Sequence, residues 1–187
     1  MEKTMENKRM LVVAAHPGDV LWRCSGAIAK HAKLGGTVDV IVLTYGLGGE
    51  ANELFKAGMT KEEARALRKK DLTRAAEILG ISQLEFWDMN DYRLEITQDK
   101  IYRLAGFMRR NPPDLILTHH GKDLFNPDHG TVLDLVDVSL EVATGHGITI
   151  EGAGPAIGRA PIFCFEPHAS EVNGFCPNLF VDITDVI

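Results

Sequence analysis

Met10-Leu11-Val12-Val13-Ala14-Ala15-His16-Pro17-Gly18-Asp19-Val20-Leu21-Trp22-Arg23 is the stretch whose reading decides the fold. The apolar run Met10–Ala15 is far too short to span a bilayer and has the pattern of a strand buried on both faces of a parallel sheet. Pro17 and Gly18 break it, and Leu21, Cys24, Ile28 and Ala32 then recur at helical spacing. The turn from a first strand into a helix, at the strand's carboxyl end, is where open α/β sheets place ligands. His16 and Asp19 both lie in that turn. An imidazole and a carboxylate three residues apart can close on one divalent cation, and Zn²⁺ matches that donor set best. The same two residues also suit a purely structural use, with His16 capping the sheet and Asp19 capping the helix.

Composition narrows the class. At 187 residues the chain fits one domain with a substantial core, and 45% hydrophobic with 25% charged residues is ordinary for a globular protein. A formal charge of −6 with no basic stripe argues against a nucleic-acid surface. Cys24, Cys164 and Cys176 are odd in number and lack CxxC spacing, which predicts free thiols in a reducing compartment and a cytoplasmic location. Residues 1–9 are charged, contain no apolar segment, and are expected to form a flexible arm. No stretch approaches the length of a membrane span, so the expectation is a single α/β domain over residues 10–187 without a membrane partner.

The rest of the chain repeats the strand–loop–helix theme. Gly35-Gly36 stop the first helix, and Val38–Thr44 reads as a second strand. It runs into Tyr45-Gly46-Leu47-Gly48-Gly49-Glu50, which lacks the spacing of a dinucleotide fingerprint. Glu50 is either a solvated loop carboxylate or a catalytic one. Thr60-Lys61-Glu62-Glu63 is a capping box opening a long helix that stops at Gly80 and carries Arg65 and Arg68. A short third strand, Leu84–Trp87, and a helix over Asp99–Arg110 follow. A fourth strand, Asp114–Thr118, then enters a histidine-bearing loop from His119 to Gly130. A helix resumes over Thr131–Ala143, and a fifth strand, Ala160–Phe165, ends in Glu166-Pro167-His168. Asn178–Ile183 is a further strand candidate. Thr184 or Asp185 reads as an N-cap whose helix is missing, so the C-terminal end is expected to be truncated. This alternation predicts a three-layer, Rossmann-like α/β fold with a mostly parallel sheet.

In such a sheet the loops carrying His16/Asp19, Glu50, His119/His120/Asp128/His129 and Glu166/His168 converge on one edge. Five of the chain's seven histidines fall in them, which favours a metal site over independent structural histidines. A strand ending in Ala-His-Pro-x-Asp, with a later Pro-Asp-His after another strand, resembles the LmbE-like zinc family of N-acetylglucosamine de-N-acetylases. The likeness extends through Gly26, Thr44–Glu50, and Arg68 through Ala75-Ala76 to Leu79-Gly80. The resemblance implies a Zn²⁺ held by His16, Asp19 and His129, with Arg68 binding substrate.

Two departures bear on the chemistry. The family's general-base aspartate corresponds to Gly18, and a histidine that steadies its tetrahedral intermediate corresponds to Asn126. Loss of a general base typically costs about 10²–10⁴-fold. The 4-oxalomesaconate (4-carboxy-2-hydroxymuconate) hydratase branch shares these departures. The chain is similar to it at His16-x-x-Asp19-x-x-Trp22-Arg23, Tyr45-Gly46-x-x-Gly49-Glu50, Asp91-Tyr92, Asn126-x-Asp128-His129 and Phe165-Glu166-Pro167-His168. That likeness implies Glu50 and His168 as the proton-transfer pair, Arg23, Arg68 and Asn126 as substrate contacts, and a homo-oligomeric enzyme acting on a small unsaturated oxo-carboxylate. Two other readings remain open at this point. One is a zinc-dependent de-N-acetylase in which Glu50 or Asp128 replaces the missing base. The other is a binding protein that keeps the metal without turnover. His119 and His120 are open between support of the metal and a structural role.

Overall fold

A computed structural model describes residues 5–186. Five strands, β1 (Arg9–Ala14), β2 (Thr37–Val42), β3 (Gln83–Phe86), β4 (Leu115–His119) and β5 (Ile162–Phe165), form one sheet in the order β3-β2-β1-β4-β5. Every pairing in it is parallel, with Val12 opposite both Val40 and Leu117 at the centre. The Rossmann-like α/β expectation holds.

β1 shows why the sequence builds three layers. Its residues alternate faces: Leu11 and Val13 enter a core with Leu104, Met108, Leu135 and Leu140 of α5 (Gln98–Arg110) and α6 (Pro127–Thr144). Met10 and Val12 enter the opposite core with Ile28 of α2 (Ser25–Lys33) and Leu72 of α4 (Lys61–Leu79). A strand covered on both sides has no polar face to show, hence the unbroken apolar run. Each fully buried aliphatic side chain there contributes roughly 1.5–3 kcal/mol.

α4 begins and ends as its sequence dictates. The Thr60 hydroxyl accepts from the Glu63 amide at 3.2 Å and Glu63 accepts from the Thr60 amide at 2.8 Å, while Gly80 closes the helix in a left-handed conformation. Between α1 (Pro17–Asp19) and α2 the chain makes a π-helical turn, Val20–Cys24. Wider turns of this kind recur at functional sites. Two short helices, α3 (Asn52–Lys56) and α7 (Ser170–Asn173), lie in the loops after β2 and β5.

Three expectations need correction. α6 begins at Pro127 rather than Thr131, with Asn126 as its N-cap, so Asp128 and His129 sit in a helical first turn rather than a loop. Asn178–Ile183 forms no strand. Asp182 instead accepts from the Thr184 amide at 3.0 Å, and the Ile183 side chain lies so close to Gly26 that a Cβ there would sit 2.8 Å from its Cδ1. Of the arm expected over residues 1–9, residues 1–4 lie outside the described residues. The part beyond them is tied to the body: the Met5 amide donates to the Leu34 carbonyl at 3.1 Å, Lys8 pairs with Asp114 at 2.8 Å, and Arg9 opens β1. No helix among the described residues is long and apolar enough to cross a membrane.

Candidate active site

The sheet changes its direction of winding between β1 and β4, and the crevice outside their carboxyl ends is the place where this architecture binds ligands. His16 and Asp19 enter it from β1 and α1, and His129 from the first turn of α6. All three are buried, and their donor atoms lie within 4.8 Å of one another. Asp19 serves two purposes. Its Oδ2 accepts from the His16 amide at 2.9 Å, closing a capping box at α1, while its Oδ1 lies 3.3 Å from His129 Nε2.

Whether these residues suit a metal is tested by their unused atoms. Among the described residues, three buried side-chain polar atoms have no hydrogen-bond partner, and two of them are His16 Nε2 and His129 Nε2. Buried polar nitrogens are costly to leave unpaired. His16 Nε2 has an Asp128 oxygen at 3.4 Å, but that contact lacks hydrogen-bond alignment. Ligand atoms bound tetrahedrally at about 2.0–2.1 Å lie about 3.3 Å apart, which is the spacing of the Asp19 and His129 donors. The residues fit a divalent cation.

Electrostatics agree. Burial would raise Asp19, yet its contacts with His129 and His16 and the field of His119 hold it well below the usual carboxylate range. Burial pulls His16 down, but Asp128, Asp19 and Glu50 outweigh it and push it up to about 10. The carboxylates around His16 thus favour positive charge at this point. His119 is the opposite case. Burial drives it down to about 3, its Nε2 accepts from the Ala15 amide at 2.9 Å, and its ring stacks on His129 at 4.0 Å. It is a neutral spacer between β1 and the His129 ring. His120 lies outside this cluster, with its Nδ1 3.0 Å from the Lys122 carbonyl and its ring edge-on to Phe175.

Asp123 and Asp128 carry more of the site than their sequence positions suggested. Burial would raise Asp123, but the Phe125 amide, His168 and His129 outweigh it and hold it at about 2. Because an ionised carboxylate only accepts, His129 Nδ1 at 2.9 Å and His168 Nδ1 at 3.1 Å must both carry protons toward it. That leaves the His129 Nε2 lone pair facing Asp19, the arrangement that orients metal-binding imidazoles. The only signal in the sequence was an aspartate in a histidine-rich loop. Asp128 is fully buried and accepts from the backbone amides of Tyr92 and Leu94 at 3.0 and 2.9 Å. It is a clamp on the 92–94 segment. That segment in turn holds the loop before Glu50, with the Gly48 amide donating to Asp91 at 2.6 Å and the Tyr92 ring packed where a Cβ on Gly49 would go.

Glu50, His168 and Arg23 meet at one cavity of about 370 Å³, lined by Gly18, Asp19, Trp22, Arg23, Glu50 and His168. The Glu50 carboxylate is bonded to Arg68 and accepts from the Gly18 amide at 3.3 Å. Arg23 makes no ion pair among the described residues, and Trp22 stands 87% exposed at the rim. Two residues expected to contact substrate are engaged within the protein. Arg68 is paired with Glu50 and also bonds the Tyr45 carbonyl at 3.3 Å, and Asn126 uses its side-chain oxygen to cap α6 at the Asp128 amide. Asp123→Asn is expected to weaken metal binding about 10–100-fold, because one anionic acceptor for two ring N–H groups becomes a neutral amide. Titration with zinc against a competing chelator measures it, and unchanged affinity would remove Asp123 from this role.

Comparison with known proteins places the chain. The family profile described as PIG-L, GlcNAc-PI de-N-acetylase, matches residues 11–139. A 4-oxalmesaconate hydratase of Pseudomonas putida is 38% identical over 180 residues, covering 96% of this chain and 69% of that protein. The crystal structure of GalB, the 4-carboxy-2-hydroxymuconate hydratase of Pseudomonas putida, superposes with a TM-score of 0.89 at 37% identity, over 96% of this chain and 74% of that one. A diacetylchitobiose deacetylase of Thermococcus kodakarensis is 27% identical over 192 residues, covering 96% of this chain and 65% of the deacetylase. With the parallel sheet, the histidine–aspartate cluster at its switch point and these likenesses together, the chain belongs to the PIG-L (GlcNAc-PI de-N-acetylase) family.

Proposed function

We propose that this protein is a zinc-dependent hydratase that adds water to an unsaturated 2-oxo or enol di- or tricarboxylate of aromatic-acid catabolism, such as 4-oxalomesaconate. The observation that carries this reading is the pairing of Gly18 with Glu50. The position after Pro17 offers no proton acceptor, and a carboxylate from the β2 loop fills the space beside it. The 38% identity to a 4-oxalmesaconate hydratase supports the same reading.

His16, Asp19 and His129 would hold the ion, and three protein ligands leave a position open. Bound there, zinc supplies Lewis-acid stabilisation of the enolate-like charge that develops when water adds to the conjugated bond. Glu50 takes the proton of the attacking water, and His168 delivers one to carbon. The pair suits the task because both line the cavity with Asp19, and Asp123, accepting from His168 Nδ1, steadies the imidazolium whose Nε2 proton goes to carbon. Arg23 is the free guanidinium for a substrate carboxylate. Arg68 reaches a second carboxylate only by sharing its charge with Glu50.

The alternative is a de-N-acetylase, supported by the family and by the diacetylchitobiose deacetylase likeness. Asp128 does not suit the base role there, since both its oxygens are committed to the Tyr92 and Leu94 amides. The test is direct. Zinc-loaded protein given 4-oxalomesaconate is expected to bleach the conjugated chromophore, and given N-acetylglucosamine derivatives to release no acetate. The reverse pattern would assign the hydrolase. Charge −6, unpaired Cys24, Cys164 and Cys176, and the hydratase likeness support a cytoplasmic protein with a small-molecule partner and no nucleic acid. A single domain over 10–187 is supported by the one continuous sheet.

A further inference from the structure

We propose that the missing side chain at position 18 is a positioning device: Gly18 sets where the Glu50 carboxylate can stand, so residues 18 and 50 compete for one space in the pocket. The inference rests on the reading of Glu50 as a proton-transfer group. Gly18 lies inside α1 with no left-handed backbone, so its conformation does not call for glycine, and in a helix glycine costs roughly 0.5–1 kcal/mol against alanine. What glycine provides there is room. A Cβ on Gly18 would lie 2.7 Å from Glu50 Oε1 and 3.0 Å from its Cδ and Oε2.

On the far side, a Cβ on Gly46 would lie 2.9 Å from Glu50 Oε2 and 3.0 Å from Arg68 Nη2. The carboxylate therefore sits in a slot between two bare backbones, with the Gly18 amide donating from one side and Arg68 from the other. The two glycines differ in kind. Gly46 has φ +67° and is required by its turn, whereas the atoms obstructing position 18 are the far end of a flexible side chain. A side chain at 18 thus leaves the fold intact and displaces Glu50.

Gly18→Ala tests this in zinc-loaded protein. Its crystal structure, compared with wild type in the same crystal form, is expected to show the Glu50 carboxylate moved by more than about 1 Å, with the melting temperature within about 3 °C of wild type. Zinc content should be unchanged. With 4-oxalomesaconate, kcat should fall about 10–100-fold, the cost of a misplacement of that size, while KM moves less than about threefold. The same substitution in a Glu50→Ala background should change kcat less than about twofold, because the group it displaces is gone. An unmoved Glu50, or an equal loss in both backgrounds, overturns the proposal. If wild type hydrates no conjugated oxo acid, the functional reading fails on its own, and the position of Glu50 in the variant still decides this one.

Discussion

Turnover of 4-oxalomesaconate is expected to fall by about 10³-fold or more when the ion is removed by a chelator or when His129 becomes alanine. Lewis-acid stabilisation of developing enolate charge is worth several kcal/mol, and each 1.4 kcal/mol is about tenfold in rate. His129 is a telling position because no hydrogen-bond partner among the described residues satisfies its Nε2, which faces Asp19 Oδ1 at 3.3 Å. The two routes to an ion-free site separate on reconstitution. Chelated wild type should recover with added zinc, and His129→Ala should not. A second readout is independent of substrate: ligand that binds only the folded state raises stability, so zinc should raise the melting temperature of wild type and leave that of His129→Ala unmoved. Full turnover by the chelated protein would remove the metal from the mechanism.

Glu50→Ala should cost about 10²–10⁴ in kcat, the usual range for a lost general acid or base, with zinc content retained. The proposed ligands come from the β1–α1 turn and α6, whereas Glu50 comes from the loop after β2, so the carboxylate can be deleted without touching the donors. His168→Ala should show a loss of similar size for the complementary proton. Because the two act on opposite ends of one addition, their double variant should lose far less than the product of the single losses. Unchanged kcat in both single variants, with zinc bound, would remove Glu50 and His168 from the proton transfers.

Much of this was readable from residue order. A strand buried on both faces must be apolar without interruption, so Met10–Ala15 announced a central parallel strand, and parallel strands bring all their carboxyl-end loops to one edge. The convergence of His16, Asp19, Glu50, His129 and His168 follows from that rule. Asp123 escaped because its importance is a matter of two donors from different elements meeting one oxygen, which no local spacing encodes. The start of α6 was misjudged because Asn126 caps through its own side chain, and Pro127 is favoured at a first helical position rather than excluded from it. Asn178–Ile183 has the composition of a strand, but that preference reflects fit to a neighbour, and this segment crosses to the α2 layer instead.

The strand order separates two kinds of work. The proposed ion donors hang from the central pair, β1 and the β4–α6 connection, while the proposed proton carriers hang from β2 and β5, the strands that flank that pair. An outlying loop can therefore trade its acid or base, or change its length, without disturbing the electrophilic centre. Moving the base from position 18, on the inner turn, to position 50, on a flanking loop, would let one scaffold host both amide cleavage and alkene hydration, and redesign of the enzyme should begin with that pair.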